Sequence, residues 1–465
     1  MFNQDYKEYL ETKRNKEYSF EPIKPGPIHD SLFHFQNDVV KMLLSVGRGA
    51  AFLDTGLGKT IIQCEWARHI EGRIIFVAPL AVAQQTICEA KKHLGIDIDY
   101  SKDGTVKSKY TITNYERLDL FDCEMFDAVI LDESSIIKGQ TSKTKAMLCE
   151  RFKRTKYRLA CTATPAPNDY TEIGNHAEFL GIMSTQEMLT RWFLHDSANT
   201  GDWRLKGHAV KPFWEWVSSW AACVSKPSDL GYPNDGYDLQ PLNMTTHTVT
   251  IATKKAYSDG LLFELPDINA ATLHKRKRES VHDRVAIVAD MVNNSDKPWI
   301  VWCESNQESE MLKKAIPDAV EVKGGDKPET KEERMIGFSE GRYRVIVSKP
   351  SICGFGMNWQ HCRDMVFASI SYSYEKFYQA IRRSWRFGQE QEVNAHVVIA
   401  DSELPVWRVI ESKAKDHEAM KSHMQHATFS KGACSQVKID YIPNHIASLP
   451  DFLFDKKTCN PKSTN

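Results

Sequence analysis

Six short stretches of the chain contain apolar runs of strand length, bounded by charged or polar residues and with no alternation of polar and apolar residues within the run. They run over Arg73–Leu80, Phe126–Asp132, Lys156–Thr164, Pro298–Glu304, Arg342–Lys349 and Asn394–Asp401. Such runs mark strands buried on both faces, the usual state of a strand in a parallel sheet. Helical patterns lie between them, as in Gln84–Leu94 and Ser305–Ile316. Strand and helix in alternation are the signature of a doubly wound α/β fold. The alternation occurs twice, at roughly 30–175 and 280–410, so two parallel-sheet α/β lobes are expected.

The rest of the chain divides around those lobes. Residues 1–27 read as an N-terminal extension, 28–175 as the first lobe and 279–426 as the second. Between them, 176–278 is a Trp-rich, mostly helical insertion and linker, with turn signals at Lys226-Pro227 and Tyr232–Gly236. Residues 427–465 read as a polar tail. A length of 465 residues suits about three domains, and 42% hydrophobic with 26% charged residues suits chains that bury cores.

The start of the chain has no apolar signal-peptide core, and no apolar run approaches the ~18 residues of a membrane span. The 11 cysteines form no CxxC pair, which argues against a zinc ribbon and fits a reducing, cytoplasmic compartment. Lys and Arg number 60 against 61 Asp and Glu, so binding nucleic acid through bulk positive charge is disfavoured, while a local basic patch is not.

Two motifs carry chemistry. Asp54–Thr60 reads D-T-G-L-G-K-T between an apolar run and a helical pattern. Gly56 and Gly58 let the backbone fold tightly, so that N–H groups from Thr55 through Thr60, Leu57 among them, turn toward phosphate. Lys59 reaches the β- and γ-phosphates, and the Thr60 hydroxyl is a ligand for Mg²⁺. The general P-loop pattern has Gly where this chain has Leu53, a departure shared by helicase-type P-loops. The second motif is Val129–Ser135, a buried run ending in Asp132 and Glu133, 73 residues after Lys59 (132 − 59). Asp132 is placed to hold Mg²⁺, and Glu133 to orient and deprotonate water.

With these and the motifs that follow in order, the chain resembles the superfamily 2 DEAD/DEAH-like helicase ATPases, closest to the Swi/Snf remodeller-like branch. The resemblance covers roughly residues 30–415. Phe33–Gln36 resembles the motif whose glutamine, here Gln36, reads adenine. Ala78-Pro79-Leu80 resembles motif Ia, Ile112–Glu116 motif Ib, and Cys161–Asn168 motif III. Trp299–Asn306 resembles motif IV, Ser348–Trp359 motif V with Gly356 in register, and Gln379–Gln389 motif VI. The resemblance implies two RecA-like lobes with an ATP cleft between them, ATP and Mg²⁺ as cofactors, and Arg383 and Arg386 as arginine fingers from the second lobe. It further implies nucleic-acid contacts at Pro79, Thr113, Asn114, Ser305 and Ser348. In two places the chain departs from the family pattern. Ser135 stands where the family usually has a His that links nucleotide to motif III, and Arg382 stands where the branch often has Asp.

The implied activity is an ATP-dependent DNA translocase or helicase. It would act as a monomeric motor on double-stranded DNA without a membrane partner, from a bacterial or bacteriophage source. An RNA helicase, or an ATP-gated clamp or recruitment module, are the alternatives. Near-zero net charge suits a motor that must release its track in each cycle. The cluster Trp192, Trp203, Trp214, Trp216 and Trp220 reads as a small core or as a stacking surface for bases. The basic run His274–Arg278 reads as a solvated face or a phosphate contact.

Overall fold

A computed structural model describes residues 20–139, 142–195, 203–250, 277–353 and 358–430. Its first sheet uses β1 (Arg48–Leu53), β2 (Ile74–Ala78), β3 (Asp99–Tyr100), β4 (Tyr110–Asn114), β5 (Ala128–Asp132) and β6 (Tyr157–Thr162). A two-stranded antiparallel ribbon follows, β7 (Phe193–His195) with β8 (Trp203–Leu205). The next strand, β9 (Ala221–Val224), returns to the first sheet, whose order is β3-β4-β2-β5-β6-β1-β9, with every pairing parallel.

The unalternating sequence of these strands has a direct cause. Ala50, Phe52, Ile75, Val77, Val129 and Leu131 enter a core on one side of the sheet. Their neighbours Ala51, Leu53, Ile74, Phe76, Ala128 and Ile130 enter a second core on the other side. With helices on both faces, both sets of a period-two strand are apolar.

The second sheet contains β10 (Leu242–Val249), β11 (Trp299–Trp302), β12 (Ala319–Val322), β13 (Val345–Ser348), β14 (Asp364–Phe367) and β15 (Val393–Ala400), in the order β10-β15-β14-β11-β13-β12. It too is parallel throughout and lies between two cores. Two parallel-sheet lobes are therefore the architecture. The described part of the segment between them is mixed, with helices Thr185–Trp192 and Val210–Val217 and four short strands, two of which, β9 and β10, are edge strands of the two sheets. Its tryptophans extend the core of the first lobe: Trp192, Trp214 and Trp220 are buried together with Phe52 and Leu131. Buried rings of this kind are not available for stacking on bases.

One helix joins the lobes. Leu404–Ser430 is 27 residues long. Near its start Val406, Trp407 and Ile410 pack in the second lobe. Further along, Met420, Met424 and Ala427 pack in the core of the first. Among the described residues no helix is long and apolar enough to cross a membrane.

The second lobe is centred on a buried cation. Arg284 is 2% exposed and pairs with Glu308 at 3.0 Å and Glu403 at 3.1 Å. Lys277, from the basic run, pairs with Glu403 at 3.3 Å; His274, Lys275 and Arg276 lie outside the described residues. Removing one member of such a group strands the opposite charges in a low-dielectric interior. Arg284→Ala is expected to cost ~3–5 kcal/mol of stability, read from chemical unfolding of the purified protein.

Candidate nucleotide site between the lobes

The loop after β1 and the end of β5 open on the same edge of the first sheet, with only β6 between the two strands. That is where ligands sit in open α/β sheets, beyond the carboxyl ends of the strands. Two glycines make the loop possible. Gly56 has φ +98° and Gly58 φ +78°, in the region that side chains with a Cβ rarely adopt. Helix Lys59–Arg68 begins immediately afterwards, so its N-terminal dipole end faces the loop. Leu57 is buried beneath it, while Thr55 and Thr60 are half-buried.

Gln36 lies against this loop. Its amide donates to the Leu57 carbonyl at 3.0 Å, and its oxygen accepts the Phe33 N–H at 2.9 Å. A Cβ on Gly58 would lie 2.4 Å from the Gln36 nitrogen, so the two residues fit only as a pair. The Lys59 ammonium donates to the Leu53 carbonyl at 3.1 Å, which holds it over the loop.

Of the acidic pair, Asp132 is buried and Glu133 half-buried. Asp132 is 5% exposed, its carboxyl accepts the Glu133 N–H at 3.1 Å, and its carbonyl accepts the Tyr115 hydroxyl at 2.7 Å. Glu133 has φ 50°, the one non-glycine positive φ among the described residues. Such a conformation costs ~1–2 kcal/mol and is found where function sets the geometry. Burial pushes the Glu133 carboxyl up to about 7; Asp132 pushes the same way, while Lys59 and Arg383 oppose it. Burial also raises Asp132, against the pull of Lys59. Glu133 Oε2 is buried without a hydrogen-bond partner. Under-compensated carboxylates are hard oxygen donors, and they suit Mg²⁺. No group of three His, Cys, Asp or Glu side chains among the described residues could hold a metal alone. Mg²⁺ usually takes one or two protein oxygens together with phosphate oxygens and water.

The second lobe closes the site through helix Tyr374–Ile381 and the turn after it. Arg383 is 5% exposed, donates to the Gln379 carbonyl at 3.1 Å and lies in the field of Glu133. Burial, reinforced by Arg386, lowers its guanidinium to about 9. Burial and Arg382 lower Arg386 as well. Phe387 presses on the loop so closely that a Cβ on Gly56 would meet its Cβ at 2.9 Å. Its ring stacks on Tyr237 at 4.3 Å.

The sequence motifs give no role to Arg382, Tyr378 or Lys421, and none to Asp54 beyond its place at the start of the P-loop. In the structure these four form one ionic cluster. Arg382 pairs with Asp54 at 2.7 Å and donates to the Thr55 carbonyl at 3.0 Å. Lys421, on the long C-terminal helix, pairs with Asp54 at 3.2 Å, and the Tyr378 hydroxyl also donates to Asp54. These cations and the Tyr378 hydroxyl outweigh burial and hold the Asp54 carboxyl far below the usual carboxylate range. The one available signal was the acid that opens the P-loop, which no phosphate-binding role explains.

The residues expected to meet nucleic acid divide. Ser305 is exposed at the end of β11, where its hydroxyl accepts the Glu308 N–H at 3.1 Å and caps a helix. Pro79 caps the helix after β2 and is half-buried. Thr113 and Ser348 are 0% and 2% exposed, with hydroxyls given to the Ser101 and Val322 carbonyls. Both side chains are buried, so in this arrangement neither hydroxyl is offered to a phosphate. Asn114 is 6% exposed and donates to Glu116 at 2.5 Å. Gly356 lies outside the described residues.

Asp54 is the anion on which the buried Arg382 and the partly exposed Lys421 depend. Asp54→Asn is expected to lower stability by ~3–5 kcal/mol, read from the urea midpoint. An unchanged midpoint would show that the cluster does not hold the lobes together.

Comparison with known proteins agrees with this arrangement. Residues 283–388 match the helicase conserved C-terminal domain family. The uncharacterized ATP-dependent helicase YqhH of Bacillus subtilis (strain 168) is 22% identical over 418 residues, 78% of this chain and 74% of that protein. The human DNA excision repair protein ERCC-6-like is 27% identical over 199 residues, 35% of this chain and 16% of that protein. Among solved structures, S. cerevisiae Dbp5 bound to RNA and ADP BeF3 is similar with a TM-score of 0.53 at 12% identity, covering 84% of this chain and 94% of that one. At that identity the likeness is one of fold, that of two RecA-like lobes. Taken with the P-loop cleft between the lobes, these findings make the chain similar to ATP-dependent helicases, through its second lobe in the family match and over most of its length in the Bacillus subtilis relative.

Proposed function

We propose that the protein is an ATP-driven motor that moves along DNA, with the duplex as its track, in the manner of the Swi/Snf-like branch. The observation that carries this is the meeting of two half-sites. Lys59, Asp132 and Glu133 of one lobe face Arg383 of the other, close enough for Arg383 to act on the charge of Glu133. A nucleotide bound there would be felt by both lobes.

In this reading the loop amides, Thr55 to Thr60, hold the phosphates, Lys59 neutralises the β- and γ-phosphates, and Gln36 supports the loop from behind. Glu133 takes the proton of the attacking water, a task for which a carboxyl near 7 is well matched. Arg383 and Arg386 stabilise the charge that develops on the γ-phosphate, and they do so only while the lobes are together. Thr60 and Asp132 would hold Mg²⁺, which when bound supplies Lewis-acid stabilisation of the phosphate oxygens.

The track would lie across the outer ends of β2 and β11. Pro79 and Ser305 begin helices there, so each lobe presents backbone N–H groups suited to one phosphate. DNA is favoured over RNA because the human relative is named as a DNA excision repair protein.

ATP turnover measured with duplex DNA, single-stranded DNA and RNA tests the choice of track. Duplex is expected to stimulate most, and stimulation by RNA alone would overturn the reading. Displacement of a triplex strand without duplex unwinding is the expected motor behaviour. Glu133→Gln is expected to lower turnover by roughly 10²–10⁴-fold while nucleotide binding persists. Turnover equal to that of the wild type would remove Glu133 from its proposed role.

A further inference from the structure

The short turn Ser134–Ile137 directly follows Glu133. On its own lobe it is held by the helix Ile173–Leu180. The Ser134 hydroxyl faces His176 Nδ1 at 3.5 Å, and His176 Nε2 faces the Pro165 carbonyl at 3.0 Å. Because a carbonyl only accepts, Nε2 carries the proton and Nδ1 is the acceptor for Ser134. Asn175 donates to the Lys138 carbonyl at 2.7 Å.

The side chains of the same turn reach the other lobe. Ser135 Oγ donates to Glu375 Oε1, and the Lys138 ammonium binds Glu375 Oε2. Each carboxylate oxygen therefore has its own partner. Ser135 is 2% exposed and Glu375 8%, so the contact is largely shielded from water, where a charge-assisted hydrogen bond is strong. Glu375 lies in the first turn of helix Tyr374–Ile381, which leads directly into Arg382 and Arg383.

We infer that Glu375 is the positioning residue that couples the second lobe to the hydrolytic carboxylate, through Ser135 and Lys138. It touches no reacting atom. Its two bonds span the lobes and exist only while helix Tyr374–Ile381 is docked on the turn. Undocking breaks both bonds and frees the turn on which the strained Glu133 backbone rests. The serine at position 135 then has a use of its own, since a small hydroxyl lets the carboxylate of Glu375 come within hydrogen-bond reach. Through Ser134, His176 and Pro165 the same turn touches the segment Cys161–Asn168, so lobe docking is read on both sides of the acidic pair.

The inference rests on the ATPase reading above, and two readouts separate their failures. The first is ATP turnover of Glu375→Ala, Glu375→Gln and Lys138→Met, without and with duplex DNA. Glu375→Ala is expected to cut the stimulated kcat by about tenfold or more, the scale of a lost charge-assisted hydrogen bond. Its KM for ATP and its unstimulated turnover are expected to stay near wild type, and Glu375→Gln, which keeps an acceptor for Ser135, to fall between. The exchanged pair Glu375→Lys with Lys138→Glu is expected to regain part of the loss. The second readout is the distance between fluorophores placed on the two lobes, followed as Mg²⁺ and a non-hydrolysable ATP analogue are added. The nucleotide-induced change is expected in the wild type and reduced in Glu375→Ala. Full stimulation and an unaltered distance change in a folded Glu375→Ala variant would overturn the inference. If no nucleic acid stimulates the wild type, the motor reading fails, and the distance change alone decides for or against Glu375.

Discussion

A carboxylate taken out of water must find cations or lose its charge. Asp54 finds two, and neither belongs to its own lobe's sheet. Arg382 comes from the turn after helix Tyr374–Ile381, and Lys421 from the helix that ends the described chain. The apposition of the lobes follows from this one requirement. With Arg382 on Asp54, its neighbour Arg383 is set beside Glu133, and Glu375 seven residues earlier (382 − 375) is set against Ser135 and Lys138. The P-loop therefore serves two purposes. Its glycines and Lys59 address phosphate, while its first residue anchors the opposite lobe.

Much of the fold could be read from the chain. The six unalternating runs correspond to β2, β5, β6, β11, β13 and β15, because burial on both faces leaves a compositional mark. Strands without that mark were harder to see. β3 is two residues long, and β10 (L-N-M-T-T-H-T-V) is a largely exposed edge, so neither carries a continuous apolar run. β9 is apolar, Ala221–Val224, but it follows the tryptophan-rich stretch and reads as part of it. Its place beside β1 depends on a partner more than 160 residues away (221 − 53 = 168), which no local pattern can indicate.

The site shows the same division. The glycines, Lys59 and the acidic pair stand in contiguous motifs and were identified from spacing. Arg382 and Glu375 were not, because their meaning is supplied by the opposite lobe. Arg382 departs from the residue usual at its position, and Glu375 lies outside the motif that begins at Gln379. Thr113 and Ser348 fit their motifs by residue type, yet both are buried. β4 and β13 lie in sheets covered on both faces, so side chains on either side of these strands are enclosed, and residue type alone does not show whether a hydroxyl reaches solvent. The near-equal count of acids and bases is consistent with a chain whose key cations, Arg284, Arg382 and Arg383, are enclosed in its interior.

The long helix Leu404–Ser430 bears on how such a molecule can move. The lobes are already joined once, by the stretch between β9 and β10. The helix adds a second, separate attachment, rooted in the second lobe at Trp407 and in the first at Met420 and Met424. A rigid body fastened to another at one point can swivel in any direction. Fastened at two, it keeps chiefly the rotation about the line through both. The lobes of this protein are thus constrained to swing like a door on two hinges, which confines motion at the cleft to one repeatable arc.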